Sequence, residues 1–200
     1  MIKNIVFDIG NVILRYDPFS YLLSQYDDYS QIEYVYKNVF NSKEWLELDR
    51  GTLDYKKASE IISKKTKLKK EDILYDLNNW KYKSMGKIES TNLFIDKLKD
   101  SNKYNLYLLS SFHEDAFNYV KKKYDFVDKF DGGVISYREK LLKPEEAIYI
   151  KLLSKYNLKA EESIFIDDSK ANIDKAIELG FEGVVFSDTS DILKIIEKLS

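Results

Sequence analysis

Two hundred residues are enough to bury a core without covalent or metal staples, and the absence of cysteine excludes a disulfide scaffold, a thiolate zinc site and a cysteine nucleophile. The 32 basic and 34 acidic residues nearly cancel, for a net charge of -2. Only Arg15, Arg50 and Arg138 are arginines, so both the basic excess and the bidentate donors expected of a nucleic-acid binder are missing. The apolar residues Ile2, Ile5, Val6 and Phe7 predict a short buried strand ending at Asp8, Ile9, Gly10 and Asn11. This run is too short for a signal-peptide core or a membrane span, so a soluble, cytoplasmic protein is expected. From Tyr16 to Ser84 the period becomes helical, through Tyr21 and Leu22, Ile32 and Val35, Ala58 and Ile62, then Ile73 and Leu77. No strand candidate interrupts it. Lys64, Lys65, Lys67, Lys69 and Lys70 read as a solvated segment, because Glu71 and Asp72 follow at once.

Beyond Ser84, strand and helix patterns alternate. Phe94, Ile95 and Leu98 mark a helix, Asn105 to Ser110 a strand, and Phe117 and Val120 a second helix. Pro144 is expected at the first position of a helix carrying Ile148 and Leu152. Ser163 to Ile166 and Gly183 to Phe186 read as strands, with helices through Ile173 and Ala176 and through Ile192 and Ile195. The expected fold class is α/β: a Rossmann-like parallel sheet with helices on both faces, plus an inserted all-helical cap. The expected domains are a core of residues 1–15 and 85–200 and a helical cap of residues 16–84.

Ligands of such sheets bind beyond the carboxyl ends of the strands. Those ends carry Asp8, Gly10 and Asn11; Ser110, Ser111 and His113; and Asp167, Asp168 and Ser169, with Lys143 ahead of a helix. Oxygen donors of this kind suit a hard cation such as Mg²⁺, and cation, lysine and hydroxyls together suit a phosphoryl group.

In order and spacing these segments resemble the four motifs of the haloacid dehalogenase-like (HAD) superfamily. The first runs from Ile5 to Val12, the second is Leu108 to Ser111, the third Lys143, Pro144 and Glu145, and the fourth Phe165 to Ser169. The placement of the insertion resembles subfamily IA with its helical C1 cap. The D-x-G-N form of the first motif, with Glu47, Leu48, Asp49, Arg50 and Gly51 in the cap, is similar to the branch containing bacterial α-D-glucose-1-phosphate phosphatases.

The resemblance implies a Mg²⁺-dependent phosphatase of small phosphorylated metabolites, most of all sugar phosphates such as glucose 1-phosphate. Asp8 is then the nucleophile, forming an aspartyl-phosphate. Asp8, the Gly10 carbonyl and Asp168 hold the metal, with Asp167 beside them; Ser110, Ser111 and Lys143 bind the phosphoryl group. The superfamily's usual second aspartate, two residues after the nucleophile, is replaced here by Gly10, so its acid-base contribution of about 10²- to 10⁴-fold is missing. His113, the single histidine, reads as the opening of a surface helix with no catalytic task, and Trp45 and Trp80 read as core. The alternatives are a non-catalytic or weakly active HAD-fold regulatory or binding protein, a phosphomutase, and a dehalogenase. The expected partner is a small phosphorylated metabolite, with no nucleic acid or membrane; a monomer is slightly favoured over an oligomer.

Overall fold

In a computed structural model, which describes residues 1–199, the first apolar run forms β1 (Asn4–Phe7) and is followed by a short strand, β2 (Leu14–Tyr16). Helices α1 (Pro18–Leu23), α2 (Tyr29–Val35), α3 (Lys43–Arg50), α4 (Tyr55–Lys65) and α5 (Lys70–Ser84) come next. The side chains of Asp17, Asp28, Ser42 and Asp54 cap the first four by accepting backbone N–H groups of their opening turns. After α3 the chain reverses at Gly51, whose φ of 76° lies in the left-handed region; a Cβ there would also fall 2.5 Å from the Tyr137 carbonyl oxygen. Only glycine satisfies both conditions.

A third short strand, β3 (Met85–Lys87), pairs antiparallel with β2, so the two ends of the helical stretch meet as a small ribbon. Three-residue strands fall below the length at which period-2 alternation can be read, and this ribbon was not expected from the sequence. The chain continues through α6 (Glu89–Ser101), β4 (Asn105–Ser110), α7 (Glu114–Lys123), β5 (Gly132–Ile135), α8 (Ser136–Glu139), α9 (Glu146–Tyr156), β6 (Ser163–Asp167), α10 (Lys170–Glu178), β7 (Glu182–Val185) and α11 (Asp191–Leu199). The five long-range strands form a parallel sheet in the order β5-β4-β1-β6-β7.

The central strands are buried on both faces, as a parallel sheet requires. Ile5, Phe7, Leu106, Leu108, Ile164 and Ile166 pack into one apolar cluster, and Val6, Leu109 and Phe165 into the other. The first cluster continues without a break into Tyr21, Trp45, Leu77 and Trp80 of the helical stretch. Among the described residues no helix is long and apolar enough to cross a membrane.

One buried carboxyl lies away from the strand ends. Asp76 on α5 is 2 % exposed and accepts hydrogen bonds from Tyr21 Oη (2.9 Å) and Tyr26 Oη (2.7 Å). Burial pushes it above its ordinary value of 3.8, against the pull of the two phenols. Above pH 3.8 the unfolded chain therefore releases a proton that the native state still holds, and stability drawn from this group falls as pH rises through the raised pKa. Asp76→Asn removes that slope. The stability of the variant relative to the parent, read as a difference in urea midpoints, should grow from pH 4 to pH 8; a constant difference would contradict it.

Candidate active site

The parallel ladder continues one residue past β1, where Asp8 N–H donates to the Ile166 carbonyl at 2.9 Å and fixes the Asp8 backbone against β6. Its carboxylate faces Lys143, which stands in the loop between α8 and α9. Lys143 Nζ lies 2.8 Å from Asp8 Oδ1 and 2.6 Å from Asp167 Oδ2, with a side chain only 2 % exposed. The approach to Asp8 is off the hydrogen-bond line, so Asp8 Oδ1 is paired by charge but gains no hydrogen bond. Burial pushes the Asp8 carboxyl up to about 7; Lys143 pulls it down and Asp167 pushes it further up. Burial alone would lower the lysine, but Asp8 and Asp167 outweigh it and hold the ammonium above its ordinary value.

Asp167, the last residue of β6, is fully buried and its oxygens are already engaged. They accept from Lys143 Nζ, from Ser169 N–H at 2.8 Å and from Asn172 Nδ2 at 2.9 and 3.1 Å. Asp168 instead opens to the cavity and accepts from Asn11 Nδ2 at 2.9 Å. Asn11 adopts a positive φ of 54°, and its Oδ1 also receives Tyr16 N–H, so one side chain ties the loop after β1 to Asp168. Burial raises the Asp168 pKa as well; Asn11 opposes this and Asp167 adds to it.

One carboxylate oxygen from each of Asp8, Asp167 and Asp168 lies within 4.8 Å of the others. Three acids share a single ammonium, and Asp8 Oδ1 lacks a hydrogen-bond donor. The residues present therefore fit a divalent cation, with Asp8 and Asp168 as the side chains still free to bind it. Ser110 is buried beside Asp8 with its hydroxyl unpartnered, while Ser111 Oγ accepts Lys143 N–H at 3.2 Å. Asp8, Gly10, Ser111 and Asp168 line one cavity of about 160 Å³ at the carboxyl ends of the strands.

Every residue singled out for the site is thus brought to one place, and a family model for haloacid dehalogenase-like hydrolases matches residues 2–180. The chain belongs to the haloacid dehalogenase-like hydrolases. Among curated relatives it is 22 % identical over 187 residues to the sesquiterpene phosphatase astK of Aspergillus oryzae, covering 94 % of this chain and 91 % of the relative. It is 23 % identical over 195 residues to drimenol cyclase drtB of Aspergillus calidoustus; there 96 % of this chain matches, but it spans only 35 % of the relative's length. The HAD family enzyme bt-2542 of Bacteroides thetaiotaomicron, solved with magnesium and inorganic phosphate, shares the fold. Its TM-score is 0.74 at 22 % identity, over 96 % of this chain and 99 % of that one.

Two expectations for this HAD chain need correction. Pro144 is not the first residue of α9: Glu145 is the N-cap and Glu146 opens the helix, while Pro144 stays in the turn that presents Lys143. Glu145 is pinned there by Arg50, whose guanidinium forms a two-pronged ion pair with its carboxylate. His113 does open a helix, α7, but it is not on the surface. It is 3 % exposed, packed edge-on against Trp45 and Trp80, and bonded through Nδ1 to Asp49 Oδ1 at 2.9 Å. Tyr16, Trp45, Asp49 and Trp80 complete the cavity wall. Of these, Trp45 and Trp80 are core residues, as expected, and cavity residues as well. Asn172, which holds Asp167, stands in the first turn of α10, just after the fourth motif.

Proposed function

We propose that this HAD hydrolase is a Mg²⁺-dependent phosphatase of small phosphorylated metabolites, acting on sugar phosphates such as glucose 1-phosphate through an aspartyl-phosphate on Asp8. The observation that carries this reading is the Lys143 ammonium set between Asp8 and Asp167 beside the open carboxylate of Asp168. In this reading residues 1–15 and 85–200 are the catalytic core and residues 16–84 its helical cap.

Asp8 attacks phosphorus in line, forming a new O–P bond while the ester bond breaks. Lys143 offsets the charge between carboxylate and phosphate, and the unpartnered Ser110 hydroxyl and the backbone at Ser111 donate to phosphoryl oxygens. Asp8, Asp168 and the Gly10 carbonyl hold Mg²⁺, which when bound neutralises charge on the phosphoryl oxygens. Asp167, saturated by Lys143, Ser169 and Asn172, serves as the anchor that positions Lys143 and its neighbour Asp168.

Aromatic walls from Trp45 and Trp80 with polar groups from Asp49 and Asn11 suit a hydroxylated ring.

A panel of sugar, nucleoside, amino-acid and prenyl phosphates, assayed with Mg²⁺ and with EDTA, tests the reading. Phosphate release should require Mg²⁺ and favour sugar phosphates. Mg²⁺ at 100 times its dissociation constant should also stabilise the protein by about 2.7 kcal/mol, seen as a rise in Tm that EDTA reverses. Release that persists in EDTA, or the absence of any Mg²⁺-dependent shift, would refute the mechanism.

A further inference from the structure

With Gly10 in the place of the acid-base aspartate, some other group must handle the proton of the leaving oxygen, or the enzyme must work without one. Five titratable side chains line the cavity: Asp8, Tyr16, Asp49, His113 and Asp168. Asp8 is the nucleophile, and Asp168 is engaged with Asn11. Tyr16 holds its proton tightly, because burial and the nearby Asp49 push its phenol well up. That leaves Asp49 and His113, which are bonded to each other.

We propose that His113, oriented by Asp49, is the acid-base group of this active site. The proposal rests on the phosphatase reading above and supplies the function missing at Gly10. Asp49 as a carboxylate only accepts hydrogen bonds, so the imidazole proton shared with it sits on Nδ1 and the working nitrogen is Nε2. Nε2 is buried and has no hydrogen-bond partner. A purely structural histidine left in this way would carry a standing cost of about 1–3 kcal/mol. In a catalytic group the same free nitrogen is what the task requires.

The pair is held by the fold on both sides. Asp49 lies near the end of α3 and His113 is the N-cap of α7, 64 residues later. Ser136, fully buried at the start of α8, joins them: its hydroxyl accepts Phe112 N–H at 2.8 Å and donates to the Asp49 carbonyl. Arg50, adjacent to Asp49, clamps Glu145 two residues from Lys143. The cap segment that carries Asp49 is therefore docked on the same loop that presents the lysine. Trp45, Tyr55 and Trp80 stand edge-on around the imidazole at centroid distances of 4.8, 5.6 and 5.5 Å and keep bulk water from it.

The proton balance closes over two steps. As Asp8 Oδ forms its bond to phosphorus, the ester P–O bond breaks and its electron pair goes to the leaving oxygen. Nε2–H of the imidazolium gives its proton to that oxygen, releasing the alcohol and leaving neutral His113. Water then attacks the aspartyl-phosphate and Nε2 takes its proton. The Asp8 O–P bond breaks, restoring the carboxylate, the imidazolium and free inorganic phosphate.

The test compares two phosphate monoesters of one ring each, p-nitrophenyl phosphate and benzyl phosphate, with Mg²⁺ present. The first leaves without protonation; the second needs it. The quantity read is kcat/KM, which reports the step in which Asp8 is phosphorylated. His113→Gln should lower kcat/KM for benzyl phosphate by about 10²- to 10⁴-fold. The loss should be at least ~30-fold smaller for p-nitrophenyl phosphate, with a burst of nitrophenol before slow hydrolysis of the aspartyl-phosphate. Asp49→Asn, which keeps an acceptor for Nδ1 but removes its charge, should show the same asymmetry in weaker form.

Adding Gly10→Asp to the His113→Gln variant should recover at least ~10-fold on benzyl phosphate. A side chain fits there, since a Cβ at Gly10 meets nothing nearer than Tyr16 Cβ at 3.9 Å. Equal losses on both esters, or none on benzyl phosphate, would overturn the proposal while leaving the phosphatase reading intact. Unmodified protein that releases no phosphate from either ester or from any phosphate of the panel above would instead remove the phosphatase reading itself.

Discussion

Asp8→Asn should lower phosphate release by about 10⁴-fold or more while leaving the protein folded. The amide has no anionic oxygen to attack phosphorus, and the trio of carboxylates is reduced to two. The loss should appear in kcat for every substrate, including p-nitrophenyl phosphate, because the nucleophile is needed whatever group leaves. Folding should survive for a reason visible in the ion pairs: Lys143 keeps its 2.6 Å contact with Asp167 when Asp8 loses its charge. The metal-free native state should gain stability above pH 3.8. Burial raises the Asp8 carboxyl from 3.8 to about 7, so between those values the native state holds a proton that the unfolded chain has released, and stability falls as pH rises. Asparagine carries no such slope. In EDTA the variant should be at least as stable as the parent, with an advantage that grows from pH 4 to pH 7, while the Tm rise on adding Mg²⁺ should shrink. Phosphate release within ~10-fold of the parent would remove Asp8 from the nucleophile's role.

The parts of the molecule legible in the sequence are those where one local run decides the outcome. β1, β4 and β6 are buried on both faces and so read as unbroken apolar segments, and each ends on the residues that enter the site. β5 lies at the sheet edge and is buried only at Val134 and Ile135, and its sequence, Gly132-Gly133-Val134-Ile135, carries half the usual signal. Tyr156 and Leu108 occupy the space where the two missing Cβ atoms would stand, and Tyr156 Oη bonds both the N–H and the carbonyl of Gly133. What fills the strand belongs to α9 and β4, and no window around Gly132 contains it. Lys143 was one lysine among many until its place beside Pro144 matched a family motif.

His113 failed to read correctly for a related reason. Its neighbours Trp45, Tyr55 and Trp80 come from three different helices, so a polar residue opening a helix looked solvent-facing when it is enclosed. Asp49 showed only as part of a segment resembling one branch of the family. Its meeting with His113 depends on how α3 docks against the start of α7 and α8, which is information held in packing and not in spacing. Three other contacts between the helical stretch and the rest of the chain share this property. Arg50 with Glu145, Ser136 with Asp49 and Lys140 with the Gly51 carbonyl all join residues 87 to 95 positions apart.

Lys143→Met should lower kcat by about 10²- to 10³-fold, the scale of losing one preorganised charge donor to the phosphoryl group, and should also destabilise the metal-free protein by about 3–5 kcal/mol. Methionine keeps most of the buried stem packed near Phe165 and removes the charge, so the effect isolates electrostatics from cavity formation. The cost falls unequally on the two carboxylates. Asp167 retains Ser169 N–H and Asn172 Nδ2, whereas Asp8 Oδ1 has no hydrogen bond even with the lysine present. Losing the ammonium pushes the Asp8 carboxyl further up and takes one donor from Asp167, so the native state must either hold a proton at Asp8 or bury unpaired charge. The stability gap between variant and parent should therefore narrow in acid, where native Asp8 is protonated with or without the lysine, and widen as pH rises through about 7. Mg²⁺ should close part of it at neutral pH, because a cation among the same three carboxylates replaces some of the missing charge. Urea titrations of both proteins at pH 4 and pH 8, with Mg²⁺ and with EDTA, separate these terms. A gap indifferent to both pH and Mg²⁺ would show that Lys143 acts here through its packing, and the charge-relief role assigned to it would have to be given up.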